Sequence, residues 1–204
     1  MVRLLATCVF GIAALGLATG LIAARAQAPV AVQTYTADGR LEFPADYRSW
    51  VYLTSGMNMS YAETPNPPAN GVFDNVFVDR RSYEAFQVAG TWPDKTVLVL
   101  ELRAARQDGS INRAGHFQDR FVGFEVHVKD TARFEGGWGF FGFSSQQPAA
   151  MIPRTATCYS CHEQHAAVDT TFVQFYPTLL PIAQRLNTLS KAYLEAEAAR
   201  AVLG

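Results

Sequence analysis

The chain has 204 residues, with 17 Lys and Arg against 18 Asp and Glu and a formal net charge of −1. That balance leaves no basic footprint for nucleic acid, and the length fits one domain after removal of a leader. Hydrophobic residues make up 49%, with 14 Phe and 8 Tyr, enough for a packed core, while 3 cysteines exclude a disulfide-dense scaffold.

The N-terminus reads Met1-Val2-Arg3, then an apolar run from Leu4 to Ala24, then the small-residue pattern Ala24-Arg25-Ala26. This is the layout of a signal peptide over 1–26, cleaved after Ala26, and it predicts a periplasmic protein. The run is long enough that an uncleaved membrane anchor is the alternative, although abundant Ala and Gly favour cleavage. Cleavage removes Cys8 and leaves Cys158 and Cys161 as the mature chain's cysteines.

Residues 27–43 read as a polar, loosely held lead-in. Tyr47, Trp50, Val51 and Thr54 have a short helical spacing, and Pro65, Pro67 and Pro68 forbid regular structure between Tyr61 and Asn70. Val72 to Val78 reads as a strand. Asp79 is placed to cap a helix whose Tyr83 and Phe86 share a face, and Gly90 to stop it. After a turn at Trp92-Pro93-Asp94-Lys95 comes the clearest strand, Thr96 to Arg103. A charged loop spans Arg106 to Arg120. Phe121 to Lys129 is a further strand, whose alternation puts Phe121, Gly123, Glu125 and His127 on one face. Trp138 to Phe143 is an apolar run in which Gly139 and Gly142 allow a bulge or a close ligand. Thr170 to Tyr176 predicts a short helix ended by Pro177. Leu179, Ile182, Leu186, Leu189 and Tyr193, three and four apart, predict one amphipathic helix in the tail, 178–204.

Cys158-Tyr159-Ser160-Cys161-His162 is a C-x-x-C-H run, the pattern of covalent c-type haem attachment. On a helix, positions i, i+3 and i+4 share a face, so both thiols can add to the haem vinyl groups while the imidazole meets the iron. Cys158 and Cys161 are then the thioether anchors and His162 the proximal iron ligand, for one haem c per chain. A zinc site wants four ligands from two paired groups, and there is no second Cys pair. A thioredoxin-like motif follows a strand directly, whereas this one follows the loop from Gln147 to Thr157. His165 lies three residues beyond His162, but the Cys spacing selects His162. Because several strands and one helix precede the motif, the expected fold is α+β: a predominantly antiparallel sheet with packed helices, the haem arriving near the C-terminal end of the domain, 44–177.

The sequence resembles the cytochrome P-460 family, which includes the sheet-built cytochromes c′-beta. The likeness rests on Tyr47-Arg48-Ser49-Trp50, Asn75-Val76-Phe77-Val78, Trp92-Pro93-Asp94 with Thr96 to Glu101, Val128-Lys129-Asp130, Arg133-Phe134, Gly137-Trp138-Gly139-Phe140 and Cys158 to His162. The resemblance implies a homodimer, each subunit with one five-coordinate haem c and an open distal face. It also implies two branches. One carries a lysine cross-linked to the haem and oxidises hydroxylamine, passing electrons to a redox partner cytochrome. The other lacks that bond, has a Phe-capped pocket and binds nitric oxide.

The family's lysine falls where this chain has Leu100, which has no nucleophilic nitrogen; Lys95 and Lys129 are the other lysines nearby. Glu125 stands about where hydroxylamine-oxidising members carry a proton-relaying carboxylate, and His127 is a second proton-transfer candidate or a rim residue. Phe73 is the candidate distal cap. His116, Met57, Met59 and Met151 are the candidate sixth ligands that would make the protein an electron carrier instead.

Overall fold

The computed structural model describes residues 33–61 and 71–203. The predicted signal peptide, the first part of the lead-in and most of the proline-rich loop lie outside the described residues. Five strands, β1 (Val51–Met57), β2 (Val72–Val78), β3 (Val97–Arg106), β4 (Phe117–Lys129) and β5 (Trp138–Phe143), pair in chain order. Every pairing is antiparallel. Four helices, α1 (Arg80–Ala89), α2 (Thr157–His165), α3 (Leu180–Leu186) and α4 (Lys191–Leu203), complete an α+β fold.

Alternation sorts the strand residues into two layers. Leu53, Val78, Leu98, Trp138 and Phe140 meet the helices, whereas Phe77, Val97, Val99, Phe124, Val126, Val128 and Phe141 pack under the segment carrying Leu41 and Tyr47. The lead-in is therefore docked over its described part: Leu41 is buried and bridges both Tyr35 and Ala149. In this second layer Glu101, 0% exposed, accepts from the Tyr47 hydroxyl at 3.1 Å, Arg48 at 2.6 Å and Arg103 at 2.7 Å. The Tyr47-Arg48 pair thus closes a buried charge inside the sheet's far layer, where an unpaired carboxylate would be costly.

Helix α1 forms where its caps predict. The Asp79 carboxylate accepts from Ser82 N–H at 2.9 Å, and Gly90 ends the helix at φ 71°. Other expectations need correction. Residues 47–54 hold only a 3-10 turn over Tyr47–Ser49 before β1 begins at Val51, because Val51 to Met57 gains a ladder with β2 that is interrupted between Tyr52 and Thr54. The charged loop is shorter than read, since β4 starts at Phe117. Phe121 does not share a face with Glu125: Leu102 pairs with Gly123 but Arg103 with Phe121. That bulge turns Phe121 onto Phe124, 4.5 Å between ring centroids. The helix expected over 170–176 is a 3-10 turn at Val173–Phe175. The tail is two helices, broken where Asn187 takes φ 55° and caps α3. Among the described residues, no helix is long and apolar enough to cross a membrane.

Candidate functional site

Helix α2 carries the C-x-x-C-H run, and only Tyr159 within it is buried. Its ring stacks on Phe140 of β5, 4.3 Å between centroids and 3° between planes. Its hydroxyl accepts from Phe140 N–H at 3.0 Å and donates to Ile152 C=O at 3.1 Å, and the Arg154 guanidinium lies 4.4 Å over the ring. A residue that the motif leaves unspecified therefore pins the helix to the sheet. With Tyr159 facing the core, Cys158, Cys161 and His162 all line a cavity of about 350 Å³. Both thiols are free.

His162 is held from several sides. Nδ1 lies 2.7 Å from Thr170 O; a carbonyl can only accept, so Nδ1 carries the proton and Nε2 keeps its lone pair. Phe172 packs at 4.2 Å, Phe140 at 4.9 Å and His127 edge-on at 4.9 Å. Burial lowers the pKa of His162, against the opposing pull of the Thr170 carbonyl. Burial also holds His127 well below its ordinary value, with His162 adding to it. A neutral imidazole is the form that binds a metal ion.

The turn presenting Thr170 is strained and anchored. Asp169 and Thr170 both take positive φ, 50° and 59°, a conformation that costs non-glycine residues of order 1–3 kcal/mol each. The Asp169 carboxylate accepts from Trp92 N–H at 3.0 Å and Lys129 Nζ at 3.0 Å. Trp92 Nε1 donates to Thr171 Oγ1 at 2.7 Å. Lys129 is thus a structural cation 16% exposed. Lys95 pairs with Asp130 at 2.5 Å. Neither lysine lines the cavity.

The sheet wall of the cavity is β3's Leu98, Leu100 and Leu102, flanked by Val76 and Asp74 on β2 and by Glu125 and His127 on β4. Leu100 faces Glu125 across the ladder, and Leu98 faces His127. His127 stacks on Phe140 at 3.9 Å and touches the His162 imidazole, so it sits at that ring's flank, two residues along β4 from Glu125. Desolvation raises the pKa of Glu125 although its side chain opens on the cavity. Phe73 is not among the lining residues; alternation turns its neighbours Asp74 and Val76 inward instead. Of the proposed sixth ligands only Met59 lines the cavity, and His116 lies on the exposed β3–β4 loop. Tyr61, 62% exposed, also lines the cavity, 5.4 Å from Phe172, its pKa pushed up to about 12 by desolvation and then by Asp74, Cys161 and Glu125.

The residues present suit a haem. Two free thiols and an imidazole with a free Nε2 converge on one apolar cavity, within the volume range of cofactor pockets. Among the described residues no group of three or more His, Cys, Asp and Glu gathers to hold a metal ion directly. The class this fold and site define is a haem cytochrome built on a sheet, not on a helical bundle. Comparison with protein families carries this further: the Cytochrome P460 model matches residues 44–173, well over half of the chain, and the chain belongs to that family. No curated protein matches it. Helices α3 and α4 lie beyond the matched residues.

Proposed function

We propose that this is an exported, periplasmic cytochrome with one haem c per chain, covalently held, that binds a small neutral nitrogen oxide such as nitric oxide. Cys158 and Cys161 hold the haem through thioethers and His162 Nε2 ligates the iron, with Thr170 C=O fixing the ring. The bound haem supplies a redox-active iron with a free coordination position. Leu98, Leu100 and Leu102 keep that side of the pocket apolar, so a neutral diatomic loses little hydration on entry, whereas a polar amine loses more.

The observation carrying this reading is Leu100 on the sheet wall. Among the described residues no lysine lines the cavity, so the cross-link of the hydroxylamine-oxidising branch has no partner there. The test is optical titration of the ferrous protein with carbon monoxide and nitric oxide, beside a hydroxylamine oxidation assay with an electron acceptor. Gas binding without hydroxylamine turnover is expected. Turnover that falls in Glu125→Ala would overturn the ranking.

One observation favours hydroxylamine oxidation as the second reading. Glu125, with its raised pKa, is placed to take protons from a bound substrate; that function also needs a redox partner cytochrome. A homodimer is proposed with either reading. The outer edge strand β1 supports it, since Tyr52 is 53% and Met57 39% exposed there.

A further inference from the structure

Asp74 has no counterpart in the motif reading, yet the fold makes specific room for it at the cavity. Its cross-strand partner on β1 is Gly56. A Cβ at Gly56 would stand 3.5 Å from Asp74 Oδ2 and collide with Met59 Sδ at 2.3 Å. The missing side chain therefore makes room for both, and Met59's backbone N–H binds the carboxylate. Along β2, Asp74 is four residues from Val78, which pairs with Leu98 at the level of His127. Strand rise makes that roughly 13 Å, so Asp74 lies toward the end of the sheet wall away from the imidazole that His127 touches.

The charges around it all have one sign. Glu125 faces the same cavity from β4, beyond the leucines of β3, and Tyr61 lines it too; His127 lies at the other end, against the His162 ring. Among the described residues neither Lys nor Arg lines this cavity. Burial first, and Glu125 second, push Asp74 up to about 6, so at pH 7.5 it is an anion.

We propose that Asp74 sets the charge selectivity of the haem pocket, admitting neutral or cationic ligands and disfavouring anions such as azide and nitrite. This rests on the haem reading but not on which gas is the natural ligand. A unit charge at roughly 10 Å, in an effective dielectric of about 20, changes anion affinity by about tenfold.

The experiment compares matured wild type, Asp74→Asn and Asp74→Glu. Azide binding to the ferric form is followed optically from pH 5 to 8, with carbon monoxide binding to the ferrous form as the neutral control. Asp74→Asn, which keeps an oxygen for the Met59 N–H, is expected to bind azide about tenfold more tightly at pH 7.5. The gap should close below about pH 6, Asp74→Glu should behave as wild type, and carbon monoxide affinity should stay within about twofold. Equal azide affinity in wild type and Asp74→Asn overturns the proposal. So does an equal gain for carbon monoxide, which would mean space and not charge. The midpoint potential is a readout that needs no open coordination position: it should fall more steeply between pH 5 and 7.5 in wild type than in Asp74→Asn. If wild type binds no carbon monoxide, the open-iron reading fails, and equal potential slopes would then overturn the role of Asp74 by themselves.

Discussion

Replacing Asp169 with alanine asks how far His162, the proposed iron ligand, depends on a turn seven residues beyond it in sequence. The substitution removes the acceptor of Trp92 N–H and the partner of Lys129, 3.0 Å each, and it leaves alanine at a φ of 50°. A hydrogen bond to a charged group contributes about 1.5–3 kcal/mol. The partly exposed ion pair adds up to about 1, and alanine tolerates the left-handed region less well than aspartate by about 0.5–1. With allowance for relaxation the expected loss is about 3 kcal/mol, or about 6–12 °C in Tm for a domain of this size. Asp169→Asn keeps an acceptor and a residue suited to positive φ, and should lose less than half as much. Urea unfolding of the matured ferric protein measures the loss. The iron–histidine stretch in resonance Raman reports the second effect: with Thr170 C=O less firmly placed, Nδ1 donates less strongly, His162 is a weaker base, and the stretch moves to lower frequency. A loss under about 1 kcal/mol with an unshifted stretch would refute the chain of reasoning from turn to ligand.

Denaturing gels of the protein expressed in a periplasm with haem maturation should show pigment that stays with the polypeptide, lost when Cys158→Ala and Cys161→Ala are combined; pigment extractable into acidified organic solvent would contradict covalent attachment. His162→Ala should alter the iron spectrum strongly and His165→Ala hardly at all, because His165 lines an adjoining hollow beside α4 and not the cavity that His162 lines; equal effects would remove His162 from its role. Tryptic mapping should give one haem peptide with no second peptide joined through Lys95 or Lys129, both of which are engaged in ion pairs. Asp74 titrates at about 6 in the folded protein against 3.8 unfolded, so the folded state holds the proton more tightly. Its contribution to stability is greatest at or below the unfolded value, falls as pH rises to about 6, and is level above. Asp74→Asn should therefore be more stable than wild type at pH 7, the difference shrinking toward pH 4 in chemical denaturation; an unchanged difference across that range would contradict the shift.

The parts of this fold legible in the sequence are those fixed by neighbours in the chain. Asp79 and Gly90 mark α1 because caps act within one turn, and Val72 to Val78 is dense enough in β-branched and aromatic residues to be read as a strand. Which face of that strand lines the cavity was not legible. Phe73 looks like the pocket residue, yet tertiary packing places Phe77 in the far layer and so turns Asp74 inward. The bulge that separates Phe121 from Glu125 depends on a pairing register that neither strand encodes alone. The motif proposed to anchor the haem was legible because thioether chemistry needs a fixed spacing. Its supports were not: Tyr159 occupies an unspecified slot, Thr170 acts through its backbone carbonyl, and Lys129 finds Asp169 forty residues away. The two consecutive positive φ values at Asp169 and Thr170 have no sequence signal beyond the tolerance of aspartate for that region.

Resonance Raman of the ferrous protein without added ligand tests the central claim most directly, because it reports coordination number and spin state together. The account predicts a five-coordinate, high-spin haem with one histidine ligand, since Met59, the sole proposed sixth ligand that lines the cavity, has its sulfur packed over Gly56. A six-coordinate, low-spin spectrum that becomes high-spin in Met59→Leu would contradict it, and would make the protein an electron carrier.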